Sequence, residues 1–145
     1  MSYQIREMII EDYGNIIAMF QETPGISVRE ADSREATEIY LQRNPGLSFV
    51  AVANGNIVGC VMSGHDGRRG YLQHLVVKSE FRKLGIGTNL YKACLDALQK
   101  LGLYKTHLFV QATNHAGESF WQKQGWVLRE EVHMYSFNTS KNLNI

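Results

Sequence analysis

The chain has 145 residues, 44% of them hydrophobic, which sets the expectation of one domain around one core. Its 15 basic and 14 acidic side chains balance, which removes the electrostatic argument for nucleic acid or an anionic membrane as a partner. No apolar run approaches the roughly 18 residues that span a bilayer, and residues 1–6 carry no signal-peptide core, so a cytoplasmic location is expected.

In chain order, residues 3–7 predict a short strand. Glu11 and Asp12 open a helix with Ile16, Ile17 and Phe20 on one side, and Thr23-Pro24-Gly25 stops it. Ser33 caps a second helix carrying Ala36, Ile39 and Tyr40, which ends at Asn44-Pro45-Gly46. The period then changes. Residues 47–53 are apolar and β-rich, Asn54-Gly55 is a strong hairpin signal, and residues 57–63 return as the partner strand. A turn at residues 65–70 leads into a third strand, 71–77. A long helix follows over 85–101, with Ile86, Leu90, Ala93, Ala97, Leu98 and Leu101 as its apolar stripe and Gly102 at its stop. Residues 105–111 predict a strand, and Asn114 caps a shorter helix that ends before Gly125. Residues 126–128 and 132–137 predict the last two strands, and the polar tail is loose. This order makes a mixed α/β domain over residues 1–138 with a flexible tail at 139–145. The strands flanking the long helix form a βαβ unit and should run parallel.

Cys60 and Cys94 each sit in an apolar stretch without a Cys-x-x-Cys pair, which predicts two reduced core thiols. The five histidines show no metal-ligand spacing, so no metal site is expected.

The most informative stretch is Val77-Lys78-Ser79-Glu80-Phe81-Arg82-Lys83-Leu84-Gly85-Ile86-Gly87-Thr88. A strand ends, a charged turn follows, and two glycines flank one residue where a helix starts. Glycine lets the backbone approach a ligand closely. The first amides of the helix lack partners within it and carry the positive end of its dipole, so a phosphate can accept from them. Arg82 and Lys83 add charge, and Thr88 adds a hydroxyl. The turn lacks the Gly-Lys-Ser/Thr of a P-loop. It also lacks the third glycine of a dinucleotide fingerprint, where Leu90 stands.

Arg82-x-x-Gly85-x-Gly87 resembles the pyrophosphate-binding signature of GNAT N-acetyltransferases, and the preceding Leu75-Val76-Val77-x-x-Glu80-Phe81 is similar to that family's strand and turn. Asn114-x-Ala116-x-x-x-Phe120-Trp121-x-x-x-Gly125-Trp126 resembles its second motif, with the alanine one place early. The element order agrees over about residues 3–137. The resemblance implies a central, mostly antiparallel twisted sheet, helices on both faces, and a parallel pair splayed at the cofactor cleft. It implies acetyl-CoA as co-substrate, an amine as acceptor, and direct attack of that amine on the thioester. Backbone groups of Leu75, Val76 and Val77 would pair with the pantetheine, and Leu75 would also supply the oxyanion donor. Amides from Arg82, Lys83, Leu84, Gly85, Ile86, Gly87 and Thr88 would hold the pyrophosphate. Asn114 and Trp121 would contact the cofactor arm, although Asn114 also serves as a plain helix cap. A homodimer through the last strands is compatible with the family.

Trp121 stands where the family usually has a tyrosine acid, and indole N–H cannot act as an acid near neutral pH. Tyr135 could supply the proton, or the thiolate could leave unassisted. If neither holds, the chain is a GNAT-fold acetyl-CoA-binding regulatory module. For the base, Gln73 lies where many relatives carry glutamate and cannot accept a proton usefully. His74 is adjacent and titrates near neutral pH. Alternation separates the two unless a bulge intervenes. His133 on a late strand, or an ordered water, are the other options. The segment 21–34 should line the acceptor pocket. Its Glu22, Glu30 and Asp32 either hold an amine or belong to a solvated loop.

Overall fold

A computed structural model describes residues 2–145. It contains strands β1 (Gln4–Glu7), β2 (Phe49–Ala53), β3 (Asn56–His65), β4 (Gly70–Val77) and β5 (Thr106–Leu108). The helices are α1 (Tyr13–Glu22), α2 (Arg34–Arg43), α3 (Ile86–Lys100) and α4 (His115–Lys123). The five strands make one sheet in the order β1-β2-β3-β4-β5, antiparallel except for the parallel β4–β5 pair. This is the mixed α/β arrangement that the resemblance implies. The chain divides into two compact units, Met1–Phe109 and Val110–Ile145, and the sheet lies in the first.

Local chemistry accounts for most boundaries. Asn54 and Gly55 both have positive φ (52° and 76°), as a tight β2–β3 hairpin demands. The Ser33 hydroxyl accepts the Ala36 amide at 3.1 Å and starts α2. Gly102 sits left-handed (φ 85°) just past α3.

The two faces of the sheet take different helices. Val50, Cys60, Met62 and Val76 pack with Ile16, Met19 and Phe20 of α1 on one side. On the other, a Cβ added at Gly59 would lie 3.1 Å from the Val76 carbonyl, 3.2 Å from Leu90 and 3.4 Å from Ile86. One added at Gly70 would lie 2.8 Å from Leu98. These glycines let α3 sit close against the sheet. Leu90 and Leu98 are fully buried there, and each such side chain is worth about 1.5–3 kcal/mol in transfer terms.

α1 is anchored by the buried Asp12. Its two carboxylate oxygens pair with the Arg6 guanidinium at 2.9 Å each, and one also accepts the Ile9 amide at 2.9 Å. Burial alone would raise this carboxyl, but the bonds from Arg6 and Ile9 outweigh it and hold it below the ordinary value. Asp12→Ala should therefore cost about 2 kcal/mol, a lost acceptor for the Ile9 amide plus a lost charged pair. Because the folded-state value is lowered, the contribution is present above the ordinary carboxylate range and disappears as pH falls through the folded value. Urea unfolding should show a wild-type advantage at neutral pH that narrows as pH falls below the ordinary carboxylate range.

Two expectations differ from the structure. β5 is shorter than residues 105–111, ending where parallel pairing with β4 ends. Residues 126–128 and 132–137 join no ladder, and Val127, Leu128, Val132, Met134 and Phe137 are exposed. Alternating apolar residues favour a strand only where a pleated neighbour receives them, and two short strands on their own are marginal.

Candidate active site

β4 carries the site. Its parallel pairing with β5 covers only Gly70 to Leu72. From Gln73 to Val77 it is paired with β3 but not with β5, so one edge of backbone donors and acceptors has no ladder partner. This is the splayed geometry expected from the resemblance.

A bulge interrupts β4 in this stretch. Cys60 pairs with Val76 and Met62 with Gln73, so His74 and Leu75 together oppose the single residue between. His74 takes a left-handed φ of 50°, uncommon for a residue with a side chain and costing on the order of 1–2 kcal/mol. The Cys60 thiol donates to the His74 carbonyl at 3.7 Å. The displaced imidazole stacks against Phe20 of α1, with ring centroids 4.6 Å apart. Its Nε2 lies 2.9 Å from Oδ1 of Asp32. Both side chains are largely shielded, with 21% of the His74 side chain and 13% of the Asp32 side chain exposed. Asp32 is therefore neither a free acceptor-binding charge nor a solvated loop residue. It is the residue that sequence reasoning missed, and no local pattern links two positions 42 apart.

The turn after β4 presents backbone donors. Ser79–Phe81 form a single 3₁₀ turn, and Arg82 is extended (φ −74°, ψ 161°). Lys83 (φ 64°) and Gly85 (φ 82°) are both left-handed, and α3 starts at Ile86. Turns of this kind gather successive amides around a concave point, and the positive end of α3 adds to it. A Cβ built at Gly85 would meet nothing within 4 Å, so the approach to these amides is open. Ile86 contributes only its backbone here, since its side chain is buried against β3 at Gly59. Gly87 and Thr88 complete the first helical turn. Leu84 and Lys83 are exposed, while Arg82 folds back and donates through Nε to the Val77 carbonyl at 3.1 Å. Beside the turn lies a cleft of ≈ 260 Å³ lined by Met19, Glu22 and Pro24 near the end of α1 and by Val76, Lys78 and Arg82 opposite.

The remaining candidates belong to the second unit. Asn114 accepts the Gly117 amide at 2.9 Å and caps α4. Trp121 packs edge-on with Phe120 and Trp126, at centroid distances of 5.0 and 5.1 Å. Tyr135 lies outside any strand and is 92% exposed. His133 is exposed as well. Among the described residues no cluster of three His, Cys, Asp or Glu side chains is placed to hold a metal ion. No helix among them is long and apolar enough to cross a membrane.

A left-handed glycine at the mouth of a helix, beside a strand with an open edge, suits a diphosphate joined to an extended arm. Comparison with known proteins agrees. The family model described as acetyltransferase (GNAT) family matches residues 4–126. The chain belongs to the GNAT acetyltransferase family. An acetyltransferase of Photorhabdus laumondii is 31% identical over 144 residues, which cover 97% of this chain and 95% of that one. N-alpha-acetyltransferase 30 of Schizosaccharomyces pombe is 29% identical over 114 residues, 75% of this chain and 76% of that one. The PaiA N-acetyltransferase of Thermoplasma acidophilum, solved in complex with coenzyme A, has 26% identity and a TM-score of 0.77. That match covers 86% of this chain and 89% of the other. The protein is thus a GNAT enzyme, an acyl-CoA-dependent acetyltransferase.

Proposed function

We propose that this GNAT protein transfers the acetyl group of acetyl-CoA to a primary amine of a small molecule or peptide, by direct attack in a ternary complex. The observation that carries the reading is His74, set by the β4 bulge beside the open strand edge and ahead of the turn that follows the same strand. The amine lone pair adds to the thioester carbonyl carbon, the C–S bond breaks, and the ammonium proton passes to His74 directly or through water. The Leu75 amide in the bulge faces the developing oxyanion. The backbone of Val76 and Val77 pairs with the pantetheine amides, and the turn from Arg82 through Thr88 binds the pyrophosphate. The thiolate takes a proton from the imidazolium, or it leaves without help.

Direct attack is favoured over an acyl-enzyme by the state of the two thiols. Cys60 and Cys94 are both buried, and burial pushes each thiol up to about 12, so neither is a nucleophile near neutral pH. A primary amine as acceptor is supported by the N-alpha-acetyltransferase and the N-acetyltransferase among its relatives.

A second reading, an acetyl-CoA-binding regulatory module with weak catalysis, is favoured by Trp121 at the family's tyrosine position and by the exposure of Tyr135. Two measurements separate the readings. Coenzyme A at a hundredfold over its Kd should stabilise the protein by about 2.7 kcal/mol, whereas ATP and NAD should not. Thiol release from acetyl-CoA should then be followed with spermidine, kanamycin and a peptide bearing a free α-amine. Turnover with any of the three supports the enzyme. Stabilisation without turnover supports the module, and stabilisation by ATP or NAD alone overturns both.

A further inference from the structure

Asp32 makes contacts that determine the state of the imidazole it faces. It lies in the Glu30–Asp32 3₁₀ turn, between α1 and α2. Its Oδ2 accepts the Arg29 amide at 2.9 Å, and its Oδ1 lies 2.9 Å from His74 Nε2. Its backbone carbonyl accepts the Tyr13 hydroxyl at 2.7 Å, which ties the turn to the start of α1. An ionised carboxylate has no proton to give, so the short contact requires Nε2 to be the donor. In the neutral ring the proton is then on Nε2 and the lone pair on Nδ1. Phe20 packs at the ring and limits its rotation. The left-handed backbone at His74 costs energy that an unstrained strand would avoid. Such strain persists where surrounding contacts over-determine it, and here those contacts are Asp32, Phe20 and the Cys60 thiol on the His74 carbonyl.

We propose that Asp32 is a positioning residue for catalysis: it accepts the hydrogen bond from His74 Nε2–H, fixes that tautomer, and so leaves Nδ1 as the lone pair that takes the proton of the acceptor ammonium. The proposal rests on the reading of His74 as base. The proton balance is simple. The acceptor enters as R–NH3⁺ and gives one proton to Nδ1, which passes it to water; the free amine then attacks, the C–S bond breaks, and the second N–H proton goes to the thiolate through Nδ1 or directly. Asp32 acts only as the acceptor of the ring N–H. It sits in the segment 21–34, whose first residues Glu22 and Pro24 line the cleft beside the turn after β4.

Asp32→Asn is the decisive variant. The asparagine carbonyl continues to accept from Arg29, so the turn keeps its cap, and the NH2 group is then presented to the ring. Nε2 becomes the acceptor, and the proton shifts to Nδ1. Nitrogen-15 spectra of histidine-labelled protein, with the His74 signals identified by their loss in His74→Asn, should show the Nε2–H tautomer in the native protein. They should show Nδ1–H, or a mixture, in Asp32→Asn. With the amine among spermidine, kanamycin and the α-amino peptide that turns over fastest, kcat should fall about 10²-fold while KM for acetyl-CoA stays within about twofold. Asp32→Glu, which keeps an acceptor, should recover most of that loss. A native Nδ1–H tautomer, or an unchanged tautomer in Asp32→Asn, overturns the proposal. So does native kcat in Asp32→Asn. The spectra need no turnover, so they test the pairing even if all three amines prove inert and the acetyltransfer reading fails.

Discussion

A Gly85→Glu variant will fold and will lose its affinity for coenzyme A. Folding is expected because a Cβ at this position meets nothing within 4 Å. The backbone penalty for a side chain at φ 82° is on the order of 1–2 kcal/mol, which a domain of ordinary stability tolerates. The loss of ligand has two causes. The new carboxylate can accept the same amides at the start of α3 that would serve the diphosphate. It also places like charge beside the phosphates, which costs about 4 kcal/mol for unit charges 4 Å apart at an effective dielectric of 20. A fall in affinity of at least about 100-fold, or about 2.7 kcal/mol, should be seen by calorimetric titration. Gly85→Ala is the matched control. It carries the backbone penalty without the charge, so its melting temperature should drop while coenzyme A binding largely survives. Native affinity in a folded Gly85→Glu protein would remove the diphosphate site from this turn.

The second large effect concerns His74. Asparagine tolerates the left-handed region better than most residues, so His74→Asn keeps the bulge and removes only the imidazole. Loss of a positioned base is worth about 10²–10⁴-fold in rate. We expect kcat at the lower end of that range, since water can carry part of the proton transfer, with KM for acetyl-CoA near the native value. That pattern identifies an interaction made in the transition state and not in the ground state. A rise in KM at constant kcat would instead make His74 part of the binding surface.

The elements that were legible share a property: their determinants are neighbours in the chain. The Asn54-Gly55 hairpin, the Ser33 cap and the Gly102 stop each depend on a backbone conformation or hydrogen bond within a few residues. The turn before α3 belongs with them. Arg82, Gly85 and Gly87 announce a helix start with an open left-handed mouth, and the structure has one there. The β4 bulge was only half legible. The alternation of Gln73 and His74 left open whether a bulge intervenes, and the register against β3 has one at His74 and Leu75.

What failed to show in the chain was long-range. The alternating residues of 132–137 carry a strand pattern, yet a strand exists only when another edge pairs with it, and none does so here. Length of β5 was likewise decided by where β4 stops receiving it. Asp32 looked like one acid among several in a charged connection. It meets His74 because α1 packs on the sheet at Met62 and Val76, and because Tyr13 and Phe20 of α1 hold the turn and the ring in place. Hydrogen bonds and φ angles that close over a few residues are written in residue order. Contacts between distant residues depend on the free energy of packing the whole sheet and its helices, and only the folded chain decides them.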